Sequence, residues 1–197
     1  MYINIMSEEK KDVKNTEKQD NNETLLKTRS ILISGEIDKK MAEKVVNQLL
    51  ILEAENDDPI KVFIDSPGGD VDSAYAIFDM IRFVKPKVIM IAMGLAASAG
   101  ALILLAGEKK NRFGFPNSHY LIHQPLSGVR GVATEIEIHA KEIEKTRQKI
   151  NALIAKETGK SLQQVEKDTD RDYWLSAEEA LDYGLISKII SRRDELK

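Results

Sequence analysis

Two neighbouring segments of the chain share one pattern of apolar and polar positions: a β-branched strand, a turn of small residues and an amphipathic helix. The first predicts a strand over Ile60 to Ile64 and a helix over Val71 to about Val84. The second predicts a strand over Val88 to Ala92 and a helix over about Ser98 to Ala106. Consecutive strand-turn-helix units are typical of an α/β fold, in which parallel strands end at one edge of the sheet and sites are built there.

Apolar spacing and capping residues predict most of the other elements. They are a strand over Ser30 to Ser34, a helix from its cap Asp38 to about Glu55, short strands over Arg112 to Phe115 and His119 to His123, a short helix capped by Ser161 and Gln164, a last helix capped by Ser176 and Glu179 and ended at Gly184, and a closing strand over Leu185 to Ile190. Because Gly159-Lys160-Ser161 lacks the first glycine of a phosphate-binding loop, it predicts only a helix end and a new cap.

The longest predicted helix runs from Val132 to Thr158, with Thr134 and Glu137 as a capping box near its start. Its apolar positions form a thin stripe flanked by charge, namely Ile136, Ala140, Ile143, Ile150 and Ile154. At about 1.5 Å per residue the helix is roughly 40 Å long, more than a domain of this size can cover. A long helix with a narrow apolar seam usually packs against a partner helix, so we expect an oligomer.

Composition limits the class of protein. The 197 residues are enough for one domain with a sizeable core, and the net charge of −3 gives no reason to expect a nucleic-acid partner. Because the chain has no cysteine, it has no disulfide, no thiolate metal site and no cysteine nucleophile. We therefore expect a cytoplasmic protein whose chemistry uses serine, histidine, carboxylates or backbone groups, and we predict no metal site.

Charge also indicates the domain boundaries. The residues after Met6 are almost all charged or amides, so residues 1–23 are predicted to form a mobile tail. Either Met1 or Met6 fits as the start of translation. The folded domain is predicted over residues 24–193, with a short tail over residues 194–197.

One uncharged run, Val88 to Ala106, is long enough to resemble a membrane span. Gly94 and Gly100 interrupt it, and a strand followed by a small-residue helix explains it better. We expect no membrane role, and the N-terminus lacks the apolar core of a signal peptide.

A single serine, Ser98, lies in this least polar part of the chain, between Ala97 and Ala99. A serine in such a place is most often a helix cap or a satisfied core hydroxyl. The alternative is a nucleophile surrounded by small residues, so that a substrate backbone can approach it closely. The residues around Ser98 leave both interpretations open.

A serine nucleophile needs an imidazole to take its proton and a carboxylate to orient that imidazole. His139 lies on the charged face of the long helix, and His119 has no evident partner. His123 ends an apolar strand at the edge where Ser98 lies, so it is the candidate base. Spacing does not choose the acid, and the candidates are Asp65, Asp70, Asp72, Asp170 and Asp172.

An oxyanion hole needs two backbone N–H groups close to the serine. Gly68-Gly69 offers backbone that no side chain obstructs. The amide of Ala99 opens the helix after Ser98, where N–H groups are free and the helix dipole favours negative charge. A tight strand-to-helix turn explains the glycine pair equally well, and both interpretations can hold together.

At these positions the chain resembles the proteolytic subunit of the Clp protease, the ClpP family. The resemblance extends from about Leu25 to Ile190 and rests on six motifs in order. They are Ser66-Pro67-Gly68-Gly69, Gly94-x-Ala96-Ala97-Ser98-x-Gly100-Ala101, Pro116-Asn117-Ser118, Ile122-His123-Gln124-Pro125, Glu135-Ile136-Glu137-Ile138-His139-Ala140, and Thr169-x-Arg171-Asp172 before Leu175-Ser176-Ala177.

The resemblance implies a crotonase-like α/β fold with a protruding handle helix, over about residues 132–158, that interdigitates between two stacked heptameric rings. The site residues that it implies are the triad Ser98, His123 and Asp172, oxyanion donors at Gly69 and Ala99, and substrate-binding positions at Gly68, Val71 and Leu126. Asp170 and Arg171 match positions that pair across the ring contact in the family.

The same resemblance implies a serine endopeptidase that hydrolyses unfolded polypeptides inside the ring chamber. An AAA+ unfoldase would feed the chamber and use the ATP, so this chain would need no cofactor of its own.

The sequence departs from the family pattern at the charged N-terminal tail, at Lys61, at Ala99 and at Asp65. The departures at the tail and at Lys61 leave a second possibility, a catalytically weak paralogue that serves as a structural or docking subunit in a ring with another subunit. A third possibility is acyl-coenzyme A chemistry, which similar paired amides support, but the combination of Ser98 with His123 disfavours it.

Overall fold

The computed structural model describes residues 24–196, and the predicted tail over residues 1–23 lies outside the described part. Its strands are β1 (Ser30–Ser34), β2 (Ile60–Ser66), β3 (Val88–Ala97), β4 (Arg112–Gly114), β5 (His119–Ile122), β6 (Tyr173–Leu175) and β7 (Lys188–Ile189). Its helices are α1 (Lys39–Glu55), α2 (Val71–Phe83), α3 (Ala99–Leu104), α4 (Ala133–Thr158), α5 (Leu162–Asp168) and α6 (Ala177–Tyr183), with short 3-10 helices at Lys109–Asn111 and Arg193–Leu196.

These strands form one sheet. Strands β1, β2, β3, β4 and β7 lie side by side in that order and are parallel. Strand β3 pairs with β4 through Met90 to Ala92 and then with β5 through Leu95 to Ala97, so its two halves have different neighbours. Strand β6 pairs with β5 in the antiparallel direction. The predicted α/β architecture is confirmed, and Ser98 and His123 follow two strands that pair with each other.

The apolar pattern of the sequence corresponds to the buried faces. Along β2, Ile60, Val62 and Ile64 are fully buried while the residues between them are half-buried, as strand alternation requires. Asp38 accepts a hydrogen bond from Met41 N at 2.7 Å and so caps α1 as predicted. Fully burying one large aliphatic side chain contributes about 1.5–3 kcal/mol to folding, so this core supplies the rigid frame for the sheet edge.

The prediction that the third strand ends at Ala92 is wrong, because β3 continues to Ala97. The register between β2 and β3 shifts after Ala92, which marks a bulge in β3. Within the bulge Gly94 has a φ of 55°, and Asp65 Oδ1 accepts a hydrogen bond from Leu95 N at 3.0 Å. The predicted turn is therefore a bulge that lets one strand change partners from β4 to β5.

The long helix is α4, Ala133–Thr158, and it begins one residue later than predicted. The predicted capping box of Thr134 and Glu137 is wrong. The N-cap is Val132, which has no hydroxyl to cap with, and its N–H donates to the Glu135 carboxylate at 3.3 Å. The Glu135 carboxylate, two residues before the predicted Glu137, therefore supplies the half of a capping box that is present.

The two ends of α4 have different surroundings. Near its C-terminus Ile150 and Ile154 are buried in the core. Near its N-terminus Ile136 and Ile138 are exposed, at 42% and 56% of their surface. The apolar stripe predicted from the sequence is therefore covered at one end only within residues 24–196.

Two strands near the C-terminus differ from prediction. Strand β6 was not predicted, because three residues are too few to show alternation. The closing strand predicted over Leu185 to Ile190 is reduced to Lys188–Ile189. Leu185 N donates back to Ala180 O at 2.9 Å, so that part of the segment belongs to the end of α6. Residues 193–196, assigned from the sequence mainly to a tail, form a 3-10 helix that packs Leu196 against the sheet.

Candidate active site

Ser98 lies between the end of β3 and the start of α3, with a φ of 54° and a ψ of −120°. Such a backbone conformation costs a non-glycine residue about 1–3 kcal/mol of free energy, and residues in such conformations cluster at functional sites. Ser98 N donates to Leu121 O at 2.8 Å, which ties the turn to β5. The serine occupies the N-cap position but its side chain makes no capping hydrogen bond. The helix-cap interpretation therefore fails, and the hydroxyl is presented on a strained strand-to-helix turn.

The glycine turn after β2 packs directly against this serine. Gly68 has a φ of 101°, and a Cβ at Gly68 would lie 2.7 Å from Ser98 Cβ and 3.1 Å from Ala99 N. Among the residues that the structure describes, neither Gly69 N nor Ala99 N has a backbone acceptor. Two unpaired amide donors thus lie in the turns that meet at Ser98.

His123 follows β5, and its side chain is largely buried, with 12% of its surface exposed. Asp172 precedes β6, and its carboxylate Oδ1 lies 3.3 Å from His123 Nδ1. The β5–β6 pairing explains this approach, since Ile122 lies opposite Tyr173 and the two site residues come directly beyond that pair. The Asp172 side chain remains 63% exposed, so solvent reaches the carboxylate.

The other candidate acids have different contacts. Asp65 accepts from Leu95 N in the β3 bulge. Asp70 caps α2 by accepting from Ser73 N at 2.7 Å, and the hydrogen bonds from Ser73 lower the pKa of Asp70. The remaining two candidates, Asp72 and Asp170, are exposed, as are the other two histidines, His119 and His139.

Ser98 and His123 line one narrow cavity of about 20 Å³, which has room for about one water molecule. Its other lining residues are Val71, Ala99, Leu102, Ile122, Pro125, Ile150 and Ile154. Within residues 24–196 the Ser98 hydroxyl makes no hydrogen bond to His123. Such bonds are often long in unliganded enzymes and shorten when substrate binds.

The residues implied for substrate binding lie in different environments. Val71 lines the cavity beside Ser98, and Gly68 packs against the serine. Leu126 is 83% exposed in the loop after β5 and does not line the cavity. A larger surface cavity of about 540 Å³ beside Lys85 and Glu157 contains none of the predicted site residues.

A group of hydrogen bonds behind the His123–Asp172 pair was not found from the sequence. Gln124 N donates to Thr169 O at 2.7 Å, and Gln124 Nε2 donates to Asp170 O at 2.6 Å. The Thr169 hydroxyl donates to Asn151 Oδ1 at 2.8 Å. Gln124 and Thr169 stand in two of the quoted motifs, but no local pattern links either of them to Asn151 on α4.

Other kinds of site find little support in residues 24–196. No group of three or more histidine, cysteine or acidic side chains there could hold a metal ion. None of the helices in that range has the length and apolar character needed to cross a membrane. Burial raises the pKa of Tyr120 to about 12, so this tyrosine on β5 stays protonated and is not a base.

Comparisons with known proteins identify the family. The Clp protease family model matches residues 13–193. The chain belongs to the Clp protease family. ATP-dependent Clp protease proteolytic subunit 2 from Treponema denticola is 58% identical over 196 residues, which cover 99% of this chain and 98% of that protein. The Treponema pallidum protein of the same name is 64% identical over 172 residues, which cover 87% of this chain and 86% of that protein.

A solved structure of a point mutant of ClpP1 from Listeria monocytogenes superposes with a TM-score of 0.84. It is 52% identical in sequence and covers 89% of this chain and 98% of its own. The chain therefore has the ClpP fold and is a serine peptidase, a hydrolase. Membership of this family excludes the alternative of acyl-coenzyme A chemistry.

Proposed function

We propose that Ser98 attacks the substrate's peptide carbonyl, that His123 takes the serine proton and returns it to the leaving amine, and that Asp172 orients His123. The observation that carries this assignment is the meeting of three features at one sheet edge. Ser98 is strained and uncapped, it lines one cavity with His123, and His123 Nδ1 lies 3.3 Å from Asp172. A serine activated in this way hydrolyses peptides through an acyl-enzyme intermediate.

The proposed oxyanion donors are the amides of Gly69 and Ala99. Both amides lack a backbone acceptor, and the missing side chain of Gly68 lets the glycine turn approach Ser98 and Ala99. Donors that are already in place stabilise the negative charge that develops on the carbonyl oxygen in the transition state. The proposed path of the peptide runs along Gly68 and Val71 as an added strand, with Leu126 on the opposite side.

The proposed substrates are unfolded polypeptides, delivered into a chamber by an AAA+ unfoldase that spends the ATP. Relatives at 58% and 64% identity are named as proteolytic subunits of ATP-dependent Clp proteases, which supports a partner that uses ATP. The exposed N-terminal half of α4 supports stacking of two heptameric rings through that helix. We propose that the chain itself needs no cofactor, and the lack of cysteine supports a cytoplasmic location.

Replacement of the nucleophile tests this proposal. The Ser98→Ala variant should assemble to the same native mass as the wild type and lose peptidase activity by about a thousandfold or more. Hydrolysis of a short fluorogenic peptide, together with native mass spectrometry, measures both quantities. Turnover within tenfold of the wild type in Ser98→Ala would overturn the assignment of the nucleophile.

One observation favours a second candidate function, a catalytically weak subunit that works beside a paralogue. The Ser98 hydroxyl makes no hydrogen bond to His123 within the described chain, so only the His123–Asp172 contact of the proposed triad is present there. Labelling of the purified protein by a fluorophosphonate separates the two candidates, because the reagent needs an activated serine. Labelling of the homomeric protein supports the peptidase, and labelling only after addition of a paralogue supports the weak subunit.

A further inference from the structure

Asp172 cannot hold its own position against His123. Its side chain is 63% exposed, and the atoms Nδ1 of His123 and Oδ1 of Asp172 are 3.3 Å apart. A polar contact that water reaches contributes little and does not by itself fix two side chains in one geometry. The arrangement of the acid must therefore come from the backbone of residues 169–172, the turn between α5 and β6.

This turn is held at both of its ends, and both attachments lead to the segment that contains His123. On one side β6 pairs with β5, where Tyr173 lies opposite Ile122. On the other side the main chain of Gln124 donates to Thr169 O at 2.7 Å. The residues immediately before and after His123 thus pair with the two ends of the segment that contains Asp172, namely Tyr173 and Thr169.

The second attachment is in turn anchored to the long helix. Asn151 on α4 and Thr169 are each 1% exposed. The Thr169 hydroxyl oxygen lies 2.8 Å from both Asn151 Oδ1 and Val165 O, so its single proton is shared between these two acceptors. Hydrogen bonds between buried polar groups strongly favour one arrangement, because any other arrangement leaves a donor or acceptor unpaired away from water. The link between Asn151 and Thr169 therefore gives the turn one preferred position relative to α4.

From this arrangement we infer that Asn151 and Thr169 are positioning residues for the catalytic acid. Together with Gln124 they set the position of the Asp172 turn against His123, although none of the three touches the cavity beside Ser98. The inference rests on the roles proposed above for His123 and Asp172. Its consequence is that loss of the buried hydroxyl lowers the rate of the chemical step and leaves peptide binding unchanged.

The decisive variant is Thr169→Val, which keeps the shape of the side chain and removes the hydroxyl. Thr158→Val is a matched control, because Thr158 is also buried and its hydroxyl also donates to the carbonyl four residues earlier, that of Ile154 at 2.7 Å. Thr158 has no hydrogen bond to the Asp172 turn. Thr169→Ser restores the hydroxyl and serves as the conservative rescue.

We expect Thr169→Val to lower kcat for a short fluorogenic peptide by about tenfold, with KM within about twofold of the wild type. The rate of fluorophosphonate labelling should fall in parallel, because both reactions need an oriented imidazole. Thr169→Ser should recover most of the loss, and Thr158→Val should keep kcat within about twofold. Native mass is measured for every variant, so that only assembled protein is compared.

Equal kcat values for Thr169→Val and Thr158→Val would overturn the inference. If Thr169→Val does not fold, the Gln124→Ala variant tests the inference instead. Within residues 24–196 the half-buried Gln124 side chain donates one hydrogen bond, to Asp170 O. A fall in its kcat at constant KM supports the inference, and an unchanged kcat overturns it. The Ser98→Ala variant tests the proposed function separately. Activity in Ser98→Ala would overturn the proposed triad. If Ser98→Ala is inactive but Thr169→Val is fully active, only the positioning role is overturned.

Discussion

Ser98 and Asp172 lie in two turns that the protein holds in different ways. The Ser98 turn is surrounded by buried small residues, has a left-handed φ and is in direct contact with Gly68. The Asp172 side chain is exposed, and hydrogen bonds from neighbouring segments hold the backbone of its turn. Packing determines the position of Ser98, the proposed nucleophile, whereas a few polar contacts determine the position of Asp172, the proposed acid.

This difference has a physical reason. A substrate backbone can approach the serine only if the residues around the serine are small. Close packing of these small residues is then what holds the strained serine backbone in position. A carboxylate that supports an imidazolium needs only the right distance and access to water or donors. Substitutions in the first turn should therefore change stability and activity together, and substitution of the exposed Asp172 should change activity alone.

The largest effect should come from Asp172→Asn. An amide cannot stabilise the imidazolium that forms in the transition state, so kcat should fall by about a thousandfold or more. Because the Asp172 side chain is 63% exposed, the melting temperature should change by no more than about 3 °C.

Peptide hydrolysis and thermal unfolding of the same preparation measure both quantities for Asp172→Asn. A large loss of thermal stability in this variant would contradict the comparison, because it would mean that the acid also helps to hold the fold.

The next largest effect should come from Gly68→Ala. The new Cβ would lie 2.7 Å from Ser98 Cβ and 2.9 Å from Ala97 O, at a φ of 101° that suits glycine. Displacement of the serine by part of an ångström should lower kcat/KM by about a hundredfold. The melting temperature should also fall by several degrees, since strain and overlap cost about 1–3 kcal/mol.

Gly128→Ala is the control for this variant, because a Cβ at Gly128 would meet nothing within 4 Å. It should retain nearly full activity and stability. An active, stable Gly68→Ala would show that packing does not determine the position of the nucleophile.

A smaller effect should come from Asp70→Ala beside the glycine turn. Asp70 caps α2, and removal of a cap costs about 1 kcal/mol. Hydrogen bonds from Ser73 lower the pKa of Asp70. The stabilisation is therefore fully present above the unfolded-state value of about 3.9 and is lost as pH falls through the lower folded-state value.

Urea unfolding of the wild type and of Asp70→Ala at pH 7 and at pH 3 measures this contribution. The difference in unfolding free energy should be about 1 kcal/mol at pH 7 and smaller at pH 3. A difference that grows toward acid pH would contradict the assigned direction.

Several parts of the molecule could be predicted because their signals are local. The cap of α1 at Asp38, the alternation of β2 and the capping box of α6 each depend on residues a few positions apart. The continuation of β3 to Ala97 could not be predicted, since it depends on pairing with β5 and on a hydrogen bond from Leu95 N to Asp65 thirty residues away.

The candidate site divides in the same way. The apolar run indicated Ser98 as a candidate nucleophile, and the strand end indicated His123 as a candidate base. The glycine pair and the start of the next helix indicated the candidate oxyanion donors. Spacing did not decide which of five aspartates orients His123, and the family resemblance pointed to Asp172. In the structure Asp172 Oδ1 lies 3.3 Å from His123 Nδ1. The antiparallel strand β6 makes that contact, and its three residues carry no alternation by which it could be predicted.

The sequence by itself determined the α/β order of elements, the buried faces, the glycine turn and the candidates Ser98 and His123, because each leaves a pattern within one element. The tertiary structure decided that the first half of β3 pairs with β4 and the second half with β5. It also decided how Asn151, Thr169 and Gln124 hold the Asp172 turn. These contacts join segments separated by many residues, and hydrogen bonds over such separations impose no periodicity on the chain.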